Sequence, residues 1–153
     1  MDKNELINFI LKARAKTYAG GGGEVEPAFK NSHQLEYKEG DWFYRDVYYT
    51  GKGIFMGLDT VYFQDKAVWS TSYYGNFKNM TEEEVDSILR AALLDNWETA
   101  RTWHKVEWQK GNFKYICEPD SAGSIEEMSG TEKIFKNNKE VYHFFYAGGL
   151  LVK

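Results

Sequence analysis

The segment from Leu35 to Tyr74 constrains the fold of this chain more than any other feature. Aromatic and β-branched residues fill it in runs separated by short turns, and such residues favour β-strands. Strands are predicted near residues 34–38, 41–49, 54–63 and 67–74. Because strands joined by turns this short form hairpins, we expect a mostly antiparallel sheet.

Two amphipathic helices are predicted on either side of this segment. The first begins at Asp2, which can cap it, and apolar residues recur at helical spacing as far as about Lys16. The second begins with a capping box at Thr81 and ends between Asp95 and Arg101. Two further hairpins are predicted over residues 103–117 and 124–146. The predicted fold class is α+β, a mostly antiparallel twisted sheet of about six to eight strands with two main helices packed on one face.

The length of 153 residues is typical of one domain, and no linker or repeat divides the chain. Residues 1–153 are therefore predicted to form a single globular domain. A flexible loop is expected over about residues 19–33, where Gly20 to Gly23 are followed by Pro27 and a polar run. These glycines follow a helix rather than a strand, so a phosphate-binding loop is not indicated.

Charge and cysteine content exclude several kinds of protein. The net charge is -4 and charged residues are spread along the chain, so nucleic acid is not expected as a direct partner. No signal peptide and no apolar stretch of about 20 residues is found, so no membrane association is predicted. The single Cys117 cannot form an internal disulfide, which agrees with a reducing compartment, and we expect a cytoplasmic protein.

Motifs for metals, cofactors and covalent catalysis are missing from the sequence. The three histidines lie on separate predicted elements without the spacing of zinc ligands. No Gly-x-Ser-x-Gly sequence supplies a nucleophile. We therefore predict no metal, no cofactor and no catalytic residue of these types.

Strand alternation divides the central strands between two faces of the sheet. Neighbouring residues point to opposite faces, and an even-length loop in each central hairpin fixes which residues share a face. In that register one face carries Trp42, Tyr44, Asp46, Tyr48, Phe55, Gly57, Asp59, Val61, Val68, Ser70, Ser72 and Tyr74. The other carries Phe43, Arg45, Val47, Tyr49, Ile54, Met56, Leu58, Thr60, Tyr62, Trp69, Thr71 and Tyr73. This second face is nearly all apolar, so we expect the helices to cover it, with Met56 and Leu58 in the core.

The first face has the composition of a small-molecule site, because it combines carboxylates, serines and a glycine with aromatic side chains. The predicted ligand-binding residues are Trp42, Tyr44, Asp46, Tyr48, Phe55, Gly57, Asp59, Ser70, Ser72 and Tyr74. Asp46 and Asp59 fall on diagonal positions of neighbouring strands, where both can contact one ligand. A cationic small molecule is the best match for carboxylates among aromatic rings. The alternatives are an ordinary solvated sheet face and a structural ion pair with Arg45, Lys66 or Lys78.

Several short motifs together resemble one known family. They are Thr17-Tyr18-Ala19-Gly20-Gly21, Tyr44-Arg45-Asp46-x-Tyr48, Phe55-x-Gly57-x-Asp59, Val68-Trp69, Tyr73-Tyr74-Gly75 and Tyr146-Ala147-Gly148-Gly149. The pattern is similar to a bacterial domain family known only as a domain of unknown function, found alone or behind a Cro-repressor-like (XRE-type) helix-turn-helix domain. The resemblance implies no established reaction, but the association with repressor-like domains implies effector sensing. Two positions depart from the pattern, since a longer acidic residue is usual at Asp59 and an asparagine at Ser72.

Three functions remain open at this point. The first is the binding or sensing of a small molecule in an acidic and aromatic pocket on the sheet. The alternative is a protein-binding module such as an immunity protein, because a small acidic chain rich in Tyr and Trp can present aromatic anchors to a partner. The third is an enzyme that uses Asp46 or Asp59. If these aspartates serve recognition rather than folding, neutralising either one should leave stability nearly unchanged.

Overall fold

The structure is a computed structural model that describes residues 1–120 and 123–152. Within these residues the strands are β1 (His33–Glu39), β2 (Trp42–Gly51), β3 (Ile54–Phe63), β4 (Lys66–Asn76), β5 (Val106–Lys110), β6 (Phe113–Pro119), β7 (Glu127–Lys136) and β8 (Lys139–Leu150). They form one sheet in the order β1-β2-β3-β4-β8-β7-β6-β5, and every neighbouring pair is antiparallel. This architecture confirms the predicted α+β class with its antiparallel sheet.

Two helices accompany the sheet, and both begin at the predicted caps. The helices are α1 (Lys3–Lys16) and α2, which runs through the segments Glu82–Glu84, Val85–Leu89 and Arg90–Asp95. The Asp2 carboxylate accepts hydrogen bonds from the backbone of Asn4 and Glu5 at 2.7 and 3.0 Å. Thr81 and Glu84 form the reciprocal capping box. The middle segment of α2 is a π-helical turn, a local irregularity frequent at functional sites.

Both helices pack on the face of the sheet that carries Asp46 and Asp59, and the core forms there. Core residues from the two helices and the strands include Leu6, Phe9, Ile10, Ile88, Leu89, Leu93, Tyr44, Val61 and Trp69. The prediction that the helices cover Met56 and Leu58 is wrong, because these side chains are 45% and 49% exposed on the outer face. The polar residues of the other face had suggested that it was uncovered. Its carboxyl groups are instead buried, because they have polar partners inside the protein.

A β-bulge in the hairpin of β3 and β4 explains a second difference from the prediction. The turn itself has the expected even length, with Phe63 opposite Lys66, but the register shifts between Tyr62 and Val61. One extra residue in β4 inverts the faces of everything that follows it. As a result Ser70, Ser72 and Tyr74 lie on the outer face, whereas Trp69, Thr71 and Tyr73 share the covered face with Asp59.

The glycine-rich segment after α1 is connected to the rest of the protein by backbone hydrogen bonds. Gly22 donates to the carbonyl oxygen of Thr17 at 3.0 Å, and Glu36 of β1 donates to that of Gly23 at 2.8 Å. Gly23 has a φ of +80°, a conformation that side chains with a Cβ rarely adopt. The flexibility of this segment stays a prediction.

No helix within residues 1–120 and 123–152 has both the length and the apolar character needed to cross a bilayer.

Candidate ligand-binding site

A cavity of about 280 Å³ lies between the covered face of the sheet and the two helices. Its lining comes from α1, α2, the central strands and the chain that follows each helix. The lining residues that carry polar or aromatic groups include Arg14, Tyr18, Tyr44, Asp46, Tyr48, Phe55, Asp59, Tyr73, Phe77, Glu82, Asp86, Arg90, Trp97 and Arg101. Buried residues such as Tyr44 form its inner wall, and exposed residues such as Trp97, at 43%, form its rim.

The predicted site residues divide into three groups. Tyr44, Asp46, Tyr48, Phe55 and Asp59 line the cavity. Trp42 and Gly57 lie on the same face outside the lining, and the ring of Trp42 stacks on Phe9 of α1 at 5.4 Å between centroids. Ser70, Ser72 and Tyr74 are excluded from the cavity by the bulge, because they lie on the outer face.

Asp46 and Asp59 are directly opposite each other on β2 and β3, closer than the diagonal placement expected from the sequence. Their exposed fractions are only 4% and 6%. A buried carboxylate is costly unless it is hydrogen bonded or paired. The two residues meet this requirement in different ways.

Arg14 holds Asp59 in place. Its Nη2 and Nε atoms lie 3.2 and 3.3 Å from Asp59 Oδ2, and both side chains are mostly buried. The same guanidinium donates to the carbonyl oxygen of Arg101 at 2.9 Å and stacks 5.3 Å from the centroid of Trp69. Because Arg14 belongs to the last turn of α1, this ion pair fixes the end of the helix against β3.

Asp46 lacks a cation of this kind and forms no ion pair within the described residues. Its Oδ1 atom accepts a hydrogen bond of 2.5 Å from the hydroxyl of Tyr73. Burial raises the pKa of Asp46 well above its ordinary value, and the negative charge of Asp59 adds to the effect, while the Tyr73 hydrogen bond opposes it. The carboxyl group therefore holds a proton more strongly than an exposed aspartate does.

Arg101 lies at the other side of the cavity in a buried cluster. It forms two hydrogen bonds of 3.0 Å with the carboxylate of Glu132, which is fully buried on β7. Tyr115 and Tyr142 donate to the same carboxylate. Burial lowers the pKa of the Arg101 guanidinium, but the charge and hydrogen bonds of Glu132 raise it by more. The net pKa is raised, so the arginine remains charged. Its backbone φ of +58° is rare for a residue with a side chain and is a feature often found at functional sites.

Arg90 and Tyr18 form part of the rim. The guanidinium of Arg90 lies 4.8 Å from the centroid of the Tyr18 ring, and its Nε atom lies 3.2 Å from Asp86 Oδ1, one helical turn earlier in α2. Burial raises the pKa of Tyr18 despite the nearby arginines, so the phenol remains neutral. The rim thus presents a cation that already has a carboxylate beside it.

The acidic, histidine and cysteine side chains are the groups that could ligate a metal ion. Across residues 1–120 and 123–152 no group of three or more of these residues is arranged to hold a metal ion.

Several residues that line the cavity were not predicted from the sequence. Arg14 and Arg90 lie on helices, and only the packing of those helices onto the sheet brings them to the aspartates. Tyr73 was assigned to the wrong face because of the bulge. Arg101 follows α2 and has no local pattern that marks it. The Tyr73-Tyr74-Gly75 motif was the one available signal, since its first residue contacts Asp46.

The comparisons with known proteins give one match. The model of a family described as Domain of unknown function (DUF5680) matches residues 46–151, a range that begins at Asp46 and contains most of the sheet and α2. A search of the curated proteins gave no match, and neither did a search of the solved structures.

Proposed function

This chain belongs to the DUF5680 family, a family defined as a domain of unknown function, and from the chemistry of its cavity we propose that it binds a small molecule between the sheet and the helices. The binding would serve recognition or sensing rather than catalysis. The resemblance of its motifs to domains that follow Cro-repressor-like modules supports sensing. We further propose that residues 1–153 act as one globular domain in the cytoplasm, in keeping with the free, buried Cys117.

The observation that carries this proposal is the pair of buried carboxyl groups in the wall of an aromatic cavity. A core built only for stability favours apolar side chains, because each buried carboxyl group has a desolvation cost. Here Asp46 and Asp59 stand opposite each other and face space instead of apolar packing. The cavity of about 280 Å³ is near the lower end of small-molecule sites, which span roughly 300–1,000 Å³.

Filling the cavity tests the proposal. Ala15 lines the cavity from the last turn of α1, so Ala15→Leu places three more carbon atoms there. The matched control is Ala147→Leu, the same change at an exposed position of β8 on the outer face. A library of aromatic fragments is screened by ligand-observed NMR against both variants and the original protein.

We expect fragments that bind the original protein and Ala147→Leu with equal affinity and bind Ala15→Leu at least about tenfold more weakly, since the added side chain removes their space. Thermal melting confirms that both variants are folded. Equal binding to Ala15→Leu, or fragments that contact only the outer face, would contradict the proposal.

A second candidate is a protein-binding module, and exposed apolar side chains on the outer face favour it. Tyr49, Met56, Leu58 and Phe145 are 47%, 45%, 49% and 50% exposed. Large exposed aromatic and aliphatic side chains are common anchors at protein interfaces. If a protein partner binds this face, Leu58→Asp abolishes the complex while Ala15→Leu preserves it, and the opposite result favours the cavity.

A further inference from the structure

The charges around the cavity are not balanced by ion pairs among residues 1–120 and 123–152. Three arginines line it, and each already has a carboxylate beside it: Arg14 is paired with Asp59, Arg90 with Asp86, and Arg101 with Glu132. Asp46 is left without a cationic partner among the described residues, although it is almost fully buried. Glu82, exposed at the rim, is likewise outside the ion pairs of the described chain. A ligand that enters the cavity therefore meets an acidic group that is in ion-pair contact with none of these arginines.

The walls near Asp46 are aromatic. The rings of Tyr44, Tyr48, Phe55 and Tyr73 line the same cavity. Burial raises the pKa of Tyr48, and the charge of Asp46 raises it further, so this phenol stays neutral. Tyr44 and Tyr73 stay neutral for the same reasons. Neutral aromatic rings attract cations through their π-faces and have no such attraction for anions.

An anionic ligand has little to bind in this cavity. Arg14 and Arg101 are hydrogen bonded to carboxylates that are buried, so these pairs cannot be hydrated if they open. Arg90, at the rim, has the exposed Asp86 carboxylate 3.2 Å from its Nε atom, without a hydrogen bond between them. The Asp59 carboxylate, although paired with Arg14, would repel it, and Asp46 offers it no positive charge. A neutral ligand gains hydrogen bonds but no charge complementarity from the same groups.

We infer that the cavity selects a small organic cation, whose ammonium or related group binds Asp46 while its apolar part packs on the surrounding tyrosine and phenylalanine rings. This inference rests on the proposed small-molecule function and adds the chemical class of the ligand. The proton held by Asp46 in the free protein is displaced when the cation binds, because the raised pKa falls once a positive charge lies beside the carboxylate.

Three probes of nearly the same size and shape test the inference: benzylammonium, benzyl alcohol and benzoate. Their affinities are measured by NMR titration, following the resonances of cavity residues. The protein is expected to bind benzylammonium about tenfold more tightly than benzyl alcohol, a ratio within the range of a cation–π contact combined with one carboxylate. Benzoate is expected to bind most weakly. Benzylammonium affinity should also rise as the pH is raised through the pKa of Asp46, while that of benzyl alcohol changes little.

Two variants locate the charge that gives this preference. Asp46→Asn is expected to reduce the ratio between benzylammonium and benzyl alcohol from about ten to about two while benzyl alcohol still binds, because the aromatic rings alone still favour the cation. Asp65→Asn, in the exposed turn between β3 and β4, changes the net charge by the same amount away from the cavity and should leave the ratio unchanged. An unchanged ratio in Asp46→Asn overturns the role given to that residue.

The probes separate the inference from the proposed function on which it rests. If benzyl alcohol or benzoate binds the original protein as tightly as benzylammonium, the cavity binds small molecules but does not select cations. If none of the probes shifts the cavity resonances, both the ligand class and the small-molecule function are overturned. These comparisons use the original protein alone, so they remain decisive even if Asp46→Asn does not fold.

Discussion

Gly57 and Tyr73 face each other across β3 and β4, and the missing side chain of Gly57 is what lets the Tyr73 hydroxyl reach Asp46. A Cβ atom at residue 57 would lie 2.5 Å from the Tyr73 oxygen and 2.5 Å from the carbonyl oxygen of Val47. The tyrosine therefore crosses β3 over a glycine to donate to a carboxyl group two strands away. Gly75 accommodates the ring of its partner Phe55 in the same manner.

The first prediction is that Gly57→Ala destabilises the protein by about 1–3 kcal/mol, because the added carbon has no space and one of its contacts is backbone. The Tyr73 hydroxyl must move away from Asp46. Urea unfolding measures the free-energy change, and Tyr73→Phe provides a second readout. Tyr73→Phe should be costly in the original protein and nearly neutral in the Gly57→Ala background, since the hydrogen bond is already lost there.

Gly51→Ala is the control for this effect. The site has no heavy atom within 4 Å of an added Cβ, and its φ is not in the left-handed region. The stability should change by no more than about 0.5 kcal/mol. Similar losses at residues 51 and 57 would show that glycine flexibility, rather than the space needed by Tyr73, determines the result.

The second prediction distinguishes the two faces of β3. Val61 is fully buried under the helices and Leu58 is 49% exposed on the outer face. Val61→Ala should therefore cost about 2 kcal/mol or more, whereas Leu58→Ala should cost less than about 1 kcal/mol although it removes more carbon atoms. Thermal or urea unfolding of the two variants checks this. A larger loss at Leu58 would restore the face assignment that the sequence favoured.

The fold could be predicted from the sequence wherever a local pattern determines it. Caps at Asp2 and Thr81 mark both helices, and two-residue turns such as Asn137-Asn138 mark the hairpins. The bulge near Val68 has no such marker, because the residues around it, Ala67-Val68-Trp69, include neither glycine nor proline. One unmarked residue was enough to place Ser72 and Tyr74 on the wrong face.

The candidate site could be predicted from the sequence only in part, for a different reason. Alternation along β2 and β3 correctly placed Asp46 and Asp59 on one face with their aromatic neighbours. The same alternation did not show which face the helices cover. A polar residue does not indicate a solvent-exposed face when it has a polar partner inside the protein. Arg14 is that partner for Asp59, and it lies 45 residues away in sequence.

The third prediction concerns Arg101 and Glu132. Arg101→Met leaves the fully buried Glu132 carboxylate without its cation, and such a loss costs about 3–5 kcal/mol. The double variant Arg101→Met and Glu132→Met should be less destabilised than the sum of the single variants, by about 1 kcal/mol or more. The exposed pair Lys105 and Glu118 is the matched control and should show a coupling energy below about 1 kcal/mol in the same cycle. Additive losses at Arg101 and Glu132 would contradict a shared charge cluster.

The fourth prediction is that the two aspartates respond oppositely to neutralisation, which replaces the expectation that neither affects stability. Asp59→Asn leaves Arg14 partly buried without its carboxylate, so we expect a loss of about 3 kcal/mol. Asp46→Asn removes a carboxyl group that has no cation to lose, and the new amide oxygen can still accept from Tyr73. This variant should be at least as stable as the original protein at neutral pH.

The pH dependence of Asp46→Asn gives the sharpest form of this prediction. The pKa of Asp46 is raised in the folded state above its ordinary value of 3.8, so between these two pKa values the folded protein holds a proton that the unfolded chain has lost. Stability of the original protein therefore falls as the pH rises through this interval, by at most about 1.4 kcal/mol per pH unit from this group. The stability advantage of Asp46→Asn should be constant below the lower pKa, increase through the interval and level off above the upper one.

Urea unfolding of both proteins over a pH series measures this advantage, with Asp65→Asn as the control for the change in net charge. An advantage that shrinks with rising pH would mean that Asp46 is held ionised in the folded protein, and would remove the proton that a bound cation is expected to displace.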